Sequence, residues 1–184
     1  MSSRTFADAW RQASQIDGWL SEREASLLWD AAQEVPQSGM IVEVGAYRGR
    51  STCLLAQTGR RLVTVDPLAA GFGEGNGMAV VEADAERLAR LIARFDNVRW
   101  VRARSTHVAP PPRIWLLYID GDHTGSAPLD DYRHFAPAIQ PGGLVAFHDF
   151  RSYPAVTDAV LELEAAGELV SVATDGSMWL GRKK

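Results

Sequence analysis

Short apolar runs alternate with amphipathic segments along most of this chain. The apolar runs lie at 40–45, 61–66, 98–103, 114–119 and 144–147. Short apolar runs bounded by glycine or proline are typical of strands buried on both faces of a parallel sheet. Apolar side chains recur at helical spacing in the segments 50–58, 79–95, 128–138 and 154–166. The pattern therefore predicts a parallel sheet with helices on both faces.

The two ends of the chain depart from this alternation. Residues 4–16 predict one helix, and the capping box Ser21-x-x-Glu24 opens a second that ends before Pro36. At the other end, Asp175-Gly176 separates two short apolar runs and predicts a β-hairpin, which makes the last strand antiparallel to the others. We expect a single domain over 1–184, with a helical extension at 1–36 and an α/β core at 37–184.

Composition excludes several classes of protein. The hydrophobic content of 46% and the charged content of 23% are ordinary for a globular domain. A net charge of −4 argues against non-specific binding to nucleic acid, and no apolar run approaches the ~20 residues of a membrane span. Cys53 is the only cysteine, which excludes an internal disulfide and a multi-cysteine zinc site. We therefore expect a cytoplasmic protein with neither nucleic acid nor membrane as a partner.

Acidic side chains stand where the predicted strands end. Glu43, Asp66, Asp120 and Asp149 lie at or near the ends of strands one, two, four and five. In a doubly wound sheet these ends line one crevice, and an acid after strand two can accept hydrogen bonds from ribose hydroxyls. Asp66 is therefore predicted to bind a ribose. Glu43 is predicted either to hold the backbone of the following turn or to receive a cationic group of a ligand.

The turn after the first strand has the spacing Glu43-x-Gly45-x-x-x-Gly49. Gly45 allows a sharp turn and a close approach of ligand to backbone, and the helix that starts near Gly49 offers free N–H groups to the same crevice. The spacing differs from the Gly-x-Gly-x-x-Gly of dinucleotide sites, and it carries an acid on the strand. It indicates a nucleotide-like site of another kind.

Taken in order, these motifs resemble those of class I S-adenosylmethionine-dependent methyltransferases. The resemblance covers residues 16–181 and rests on the segment 42–52, Val65-Asp66-Pro67, Ile119-Asp120-Gly121-Asp122-His123, Pro141-Gly142-Gly143 and Phe147-His148-Asp149. It is strongest to a small branch with Ile-Asp-Gly-Asp-His and His-Asp strand ends. It implies a Rossmann-like, seven-stranded, mostly parallel sheet in the order 3-2-1-4-5-7-6, with S-adenosylmethionine as the cofactor.

The resemblance also assigns residues to the parts of that cofactor. Those lining its methionine and ribose parts would be Glu43, Gly45, Ala46, Tyr47, Gly49 and Ser51, with Asp66 on the ribose. Arg104 and Ser105 would lie near the adenine, and Asp120 and His123 near the sulfonium. Arg104 stands where many relatives have an acid, and arginine cannot accept a hydrogen bond from the adenine amine. Recognition of the adenine is then expected from Ser105, from backbone groups or from stacking by Arg104.

Candidate catalytic groups follow the fourth and fifth strands. Methyl transfer to a hydroxyl is an in-line displacement that also requires removal of a proton. Histidine titrates near neutral pH, so His123 and His148 are candidate bases, with Asp149 in the same set. Asp120, His148 and Asp149 are alternatively a candidate site for Mg²⁺. His148 supplies nitrogen where such sites favour oxygen, so we expect metal-independent transfer.

The predicted activity is methylation of a hydroxyl on a small metabolite or sugar. Acceptor contacts are expected from the N-terminal helices, the segments 69–78, 123–128 and 150–154, or a second subunit of a homodimer. The glycine-rich segment 69–78 is interpreted as a connector in preference to a lid. The alternatives are a non-catalytic cofactor-binding module and a nicotinamide-dependent oxidoreductase, and the glycine spacing and the hairpin argue against the second of these.

Overall fold

The sheet has seven strands in this computed structural model, which describes residues 4–68 and 82–184. The strands are β1 Met40–Val44, β2 Arg61–Val65, β3 Val98–Val101, β4 Ile114–Ile119, β5 Ile139–Phe147, β6 Leu169–Asp175 and β7 Met178–Lys183. Their order is β3-β2-β1-β4-β5-β7-β6, and β7 runs antiparallel to both of its neighbours. The predicted strand order and the antiparallel last strand are confirmed.

The helices in the described ranges are α1 Phe6–Ala13, α2 Glu22–Glu34, α3 Arg50–Ala56, α4 Glu82–Ile92, α5 Ala127–Phe135 and α6 Pro154–Ala165. Single 3₁₀ turns cover Ser105–His107 and Ala136–Ala138. None of the helices in the described part of the chain is long and apolar enough to cross a membrane. The predicted connector at 69–78 lies outside the described residues.

Each face of the sheet carries its own hydrophobic core. Alternation along β1 sends Ile41 to one face and Val42 to the other, because successive strand side chains point to opposite sides. The Ile41 face packs against α1, α2, α3 and α4. The Val42 face packs against α5 and α6, through Phe135 and Val160 among others. Helices on both faces follow from strands that are apolar on both sides.

The start of β5 differs from its prediction. The apolar pattern predicts a helix to 138 and a strand over 144–147, but α5 ends at Phe135 and β5 begins at Ile139. Pairing with β4 jumps from Ile114↔Ile139 to Leu116↔Leu144, so the Pro-Gly-Gly segment bulges out of the ladder. Proline and glycine interrupt regular pairing without ending the strand.

The N-terminal helices pack into the core beside α3. Ala9 and Ala13 of α1 are fully buried. Helix α2 starts at the predicted capping box: Ser21 Oγ accepts from the Glu24 N–H, and the Glu24 carboxylate accepts from the Ser21 N–H at 2.9 Å. The segment that joins the two helices, residues 14–21, reaches the carboxyl edge of the sheet at the turn after β1.

Candidate active site

Gly45 brings the end of β1 against the end of β4. Its φ is +86°, and a Cβ at this position would lie 2.1 Å from the carbonyl oxygen of Asp120. The Asp120 N–H donates to the Val44 carbonyl at 2.8 Å, which joins the two strand ends. Gly49 has φ +92°, and its Cβ would lie 2.4 Å from the Leu91 side chain of α4, a contact that can yield more easily than the backbone contact at Gly45. Both glycines are therefore required by contacts within the protein.

Asp66 holds the same turn from β2. One of its oxygens, Oδ2, accepts from the N–H groups of Ala46 at 2.7 Å and Tyr47 at 2.9 Å. The other, Oδ1, accepts from the Leu68 N–H at 2.8 Å. The two hydrogen bonds to Oδ2 stabilise the left-handed backbone conformation of Tyr47, whose φ is +48°. A carboxylate has about four acceptor sites and three are used, so Asp66 keeps capacity for about one ligand hydroxyl and the ribose contact stays a prediction.

Glu43 is fully buried on β1, and its partners are hydroxyl groups of α3. Ser51 Oγ donates to it at 2.5 Å and Thr52 Oγ1 at 2.6 Å. Burial raises the pKa of Glu43 to about 7, although both hydroxyl hydrogen bonds oppose that shift. Glu43 lies outside the cavity lining, and the cofactor contact predicted for it stays a prediction. Among the described residues its carboxylate anchors the first turn of α3, which carries Ser51.

The residues after β3 make contacts with α5. Ser105 Oγ donates a hydrogen bond to the Asp131 carboxylate, which is 5% exposed. Burial raises the pKa of Asp131 to about 6, and the hydrogen bond from Ser105 partly offsets this effect. Arg104 precedes this pair and is exposed. The roles of Arg104 and Ser105 at an adenine remain predictions.

His148 is enclosed by carboxylates. Its Nδ1 lies 3.3 Å from Asp120 Oδ1 and 3.5 Å from Asp149 Oδ2, while its Nε2 lies 3.5 Å from Glu24 Oε2. Burial alone would lower the pKa of His148, but the charge of Asp120 and the other carboxylates raise it to about 12. The imidazole is therefore protonated at neutral pH, and both of its nitrogens face carboxylates without a hydrogen bond among the described residues. A positively charged ring does not accept a proton, so this environment disfavours the base role of His148, which stays a prediction.

Asp120 is held ionised at the centre of this group. Tyr118 donates its hydroxyl hydrogen to Oδ2 at 2.9 Å, and both histidines face Oδ1. Burial favours the protonated acid, yet the charge of His148 and the contact with His123 hold the pKa of Asp120 well below its ordinary value. A fixed negative charge consequently lies at the carboxyl end of β4.

His123 bridges two of the acids. Its Nε2 lies 3.6 Å from Asp120 Oδ1 and its Nδ1 lies 3.6 Å from Asp149 Oδ2, and neither nitrogen has a hydrogen-bond partner among the described residues. Its ring lies 4.6 Å from the ring of Tyr153. Asp149 has φ +61°, a conformation that costs energy for a residue other than glycine and is concentrated at functional sites.

These groups surround a cavity of about 220 Å³. It is lined by Asp17, Gly18, Trp19, Leu20, Gly45, Ala46, Tyr47, Arg50, Ser51, Asp120, Gly121, His123, His148, Asp149 and Tyr153. Eight of the predicted site residues are in this lining: Gly45, Ala46, Tyr47, Ser51, Asp120, His123, His148 and Asp149. The predicted residues outside it are Glu43, Gly49, Asp66, Arg104 and Ser105.

One wall of the cavity is formed by residues 17–20, in the N-terminal region from which the sequence predicted acceptor contacts, but the contacts of this wall with Arg48 and Arg50 were not predicted. Arg48 Nη1 donates to Asp17 at 2.7 Å, and Arg50 Nη1 donates to the Leu20 carbonyl at 2.9 Å. The available signal was an exposed aromatic residue directly before a capping box. Glu24 was recognised only as a helix cap, because nothing in the local pattern points to its contact with His148.

The acids and His123 also form a candidate cation site. Asp120, His123 and Asp149 can each bring a ligand atom to within 4.8 Å of the others, so His123 takes the place that the sequence assigned to His148. Mg²⁺ requires near-octahedral oxygen coordination, which two carboxylates beside two imidazoles do not supply. The positive charge of His148 also offsets part of the negative charge of these carboxylates. This donor set therefore does not fit Mg²⁺.

A family model described as a methyltransferase domain matches residues 42–150. That range begins in β1 and ends just after β5, so it includes the glycine turn and all three of Asp120, His148 and Asp149. An uncharacterized protein of Acanthamoeba polyphaga mimivirus is 26% identical over 144 residues, which cover 67% of this chain. The match spans 60% of the length of that viral relative.

Solved structures share the fold at low sequence identity. The O-methyltransferase NovP is 18% identical with a TM-score of 0.69, covering 91% of this chain and 83% of its own. A 1,6-didemethyltoxoflavin-N1-methyltransferase of Burkholderia thailandensis, solved with bound S-adenosylhomocysteine, is 18% identical with a TM-score of 0.64. That match covers 88% of this chain and 77% of the Burkholderia chain. These likenesses establish the fold.

Proposed function

The chain belongs to the methyltransferase-domain family, and from this premise we propose that it transfers the methyl group of S-adenosylmethionine to a hydroxyl group of a small metabolite. The observation that supports this proposal best is the cavity in which the glycine turn and His123 meet. The turn supplies the cofactor side and His123 supplies a nitrogen without a hydrogen-bond partner. An in-line displacement with proton removal requires a cofactor site and a base beside each other, and the turn and His123 are adjacent in this cavity.

The charge of the cavity suits a positively charged cofactor. Asp17, Asp120 and Asp149 line it, and Asp120 is held ionised. Opposite charges attract more strongly in a partly buried site than in water. The bound S-adenosylhomocysteine of the Burkholderia relative supports the same choice of cofactor. A nicotinamide dinucleotide, with its negative pyrophosphate, would meet repulsion from these carboxylates.

The chemistry requires one base and one displacement. When bound, S-adenosylmethionine supplies a methyl group on a positive sulfur: the acceptor oxygen bonds to the methyl carbon, the carbon–sulfur bond breaks, and S-adenosylhomocysteine and one proton are released. His123 takes the hydroxyl proton on Nε2, and Asp149, 3.6 Å from Nδ1, orients the ring and stabilises its positive charge. Such contacts are often loose before substrate binds and tighten afterwards.

Hydroxyl methylation without a metal follows from the same side chains. His148 lies between the carboxylates of Asp120 and Asp149, and its positive charge occupies the place that a divalent cation would take. This single positive charge offsets part of the negative charge of the two acids and lowers their attraction for a divalent cation. We expect methyl transfer to persist with a chelator present. Activity that disappears with chelator and returns with Mg²⁺ would contradict this part of the proposal.

Calorimetry tests the proposed cofactor directly. We expect the protein to bind S-adenosylhomocysteine and S-adenosylmethionine, and to bind NAD much more weakly. Tight binding of NAD without binding of S-adenosylhomocysteine would indicate a nicotinamide enzyme. Transfer of isotope from labelled S-adenosylmethionine to a panel of hydroxylated compounds then tests catalysis. Cofactor binding together with no transfer to any acceptor would favour a non-catalytic binding module.

A further inference from the structure

Trp19 presents a large aromatic face to the cavity. It is 65% exposed, more than any other large hydrophobic side chain in the described ranges, and it lines the cavity that holds His123 and Asp149. Isolated apolar side chains on a surface need no explanation, but a tryptophan in the wall of an acidic cavity is a typical recognition element. The ring offers stacking area at a low cost in conformational entropy.

The ring of Trp19 is supported on one side. Its centroid lies 5.4 Å from that of Tyr47, at an interplanar angle of 34°. The Arg48 guanidinium lies 4.9 Å from the centre of the Tyr47 ring and completes the support. Tyr47 is itself held by the hydrogen bond from its N–H to Asp66. The exposed area of Trp19 is therefore available to a ligand on a pre-organised support.

The backbone around Trp19 is anchored on both sides. Arg48 donates to the Asp17 carboxylate at 2.7 Å, and Arg50 donates to the carbonyls of Ile16 at 2.7 Å and Leu20 at 2.9 Å. Leu20 is buried in the core directly after Trp19. These anchors come from the turn after β1, so the wall formed by residues 17–20 is coupled to the cofactor side of the cavity.

We propose that Trp19 is the stacking platform for the acceptor and that the acceptor is a neutral phenolic ring. The proposal rests on the proposed function. Two further rings, those of His123 and Tyr153, line the same cavity and lie in contact with each other at 4.6 Å, so the cavity that holds the candidate base has aromatic walls. A phenol loses its proton near pH 10, whereas water and simple alcohols require about pH 15. A histidine base without a metal therefore suits a phenol better than a sugar hydroxyl.

A matched pair of probes tests the stacking. Catechol and cyclohexane-1,2-diol carry adjacent hydroxyls on six-membered rings, but only catechol has an aromatic face. We titrate each, and methyl glucoside, into the protein saturated with S-adenosylhomocysteine, and follow binding by NMR up to millimolar concentrations. We expect catechol to bind at least about tenfold more tightly than the diol or the glucoside, as a stacking contribution near 1.4 kcal/mol implies.

Variants then assign the effect to Trp19. Trp19→Ala should weaken catechol binding about tenfold, and Trp19→Phe should retain most of it, with each variant saturated at its own measured S-adenosylhomocysteine affinity. Leu161→Ala, which removes an exposed apolar side chain on α6 outside the cavity lining, should change neither affinity. This control separates a loss of stacking from a general loss of apolar surface.

The outcomes separate the two proposals. No binding of S-adenosylhomocysteine overturns the proposed function, and the acceptor class with it. Normal binding of S-adenosylhomocysteine with equal affinity for catechol and the diol, or with no catechol binding, overturns the phenolic acceptor alone. Preferential binding of methyl glucoside identifies a sugar acceptor. Catechol affinity that survives Trp19→Ala removes Trp19 from the role of platform.

Discussion

At the scale of single residues, the acids beside the first turn bind the protein's own groups. Asp66 accepts three backbone N–H groups, and Glu43 accepts two hydroxyls. A buried carboxylate without hydrogen-bond donors is strongly unfavourable, so each of these acids accepts hydrogen bonds from the nearest N–H or O–H groups. The residue type thus predicts that a polar partner exists, whereas the identity of the partner depends on the folded neighbours.

Removal of Asp66 should impair both the turn and the cofactor site. We expect Asp66→Ala to weaken binding of S-adenosylhomocysteine by about 1–3 kcal/mol, because it leaves the N–H groups of Ala46 and Tyr47 without their charged acceptor. Asp66→Asn should lose less affinity for S-adenosylhomocysteine, since one side-chain oxygen remains as an acceptor. Calorimetry measures both variants. Unchanged affinity in Asp66→Ala would exclude Asp66 from the ribose role and from control of the turn.

Glu43 should make stability depend on pH near neutrality. Its folded pKa, about 7, lies above the ordinary 4.5, so its contribution to stability is complete below 4.5 and is lost as the pH rises through 7. Relative to the wild type, Glu43→Gln should therefore gain up to ~3 kcal/mol in the free energy of unfolding between pH 4.5 and 8. Denaturant unfolding at a series of pH values measures this difference.

Asp131→Asn provides a comparison for Glu43→Gln. Burial raises the pKa of Asp131 from 3.8 to about 6. The contribution of Asp131 to the free energy of unfolding is therefore also lost as the pH rises, but at lower pH than that of Glu43. The stability difference of Asp131→Asn should be nearly complete by pH 7, while that of Glu43→Gln is still increasing. Curves for Glu43→Gln that run parallel to the wild type across this range would refute the buried ionisation.

At the scale of elements, the site depends on how closely two strand ends approach. The turn after β1 lies against the end of β4 because Gly45 has no side chain, and this contact puts Asp120 beside the turn. The bulge at the start of β5 leaves its last residues in register with β4, so Phe147 pairs with Ile119. His148 consequently follows β5 next to Asp120, which follows β4.

Gly45→Ala should therefore be much more damaging than an ordinary glycine substitution. Gly59 is the control: its φ is +73°, but nothing lies within 4 Å of a Cβ there. Gly59→Ala should cost about 1–2 kcal/mol from its left-handed backbone alone. Gly45→Ala adds an overlap with the Asp120 backbone and should cost about 1–3 kcal/mol more, with loss of cofactor binding. Equal costs in thermal or denaturant unfolding would contradict the close contact.

At the scale of the whole molecule, Glu24 joins three distant parts of the chain. It caps α2 through Ser21, accepts from the N–H and hydroxyl of Ser177 in the β6–β7 turn, and faces His148. These hydrogen bonds keep the pKa of Glu24 well below its ordinary value, although burial acts against them. The N-terminal extension thereby contributes a charge to the active site as well as packing.

Glu24→Ala should destabilise the protein by about 3–5 kcal/mol at neutral pH, as expected when one member of a buried ion pair is removed. Because the folded pKa of Glu24 is depressed, the stabilisation is present above pH 4.5 and lost as the pH falls below it, so the deficit should shrink in acid. Glu22→Ala, at an exposed position in the same helical turn, should stay within about 0.5 kcal/mol of the wild type. A deficit in Glu24→Ala that is independent of pH would indicate lost packing only.

Most of the architecture followed from local patterns, and most of the site geometry did not. The alternation of apolar runs and helical segments predicted the helices on both faces, and Asp175-Gly176 predicted the hairpin that reverses β7. The sequence predicted acceptor contacts from the N-terminal region, but the position of residues 17–20 depends on Arg48 and Arg50, whose side chains reach back across the turn. No local pattern specifies such a contact.

The sequence by itself determined the order of the elements and the set of acids at the strand ends. Strand and helix periods are local properties, and the carboxyl ends of parallel strands meet at one edge of any such sheet. Only the tertiary structure decided which group each acid binds. Glu43 binds hydroxyls of α3, Asp66 binds the turn, and Glu24 and Asp120 enclose His148. Hydrogen bonds and ion pairs act over a few ångströms, so they depend on distances that exist only after the chain has folded.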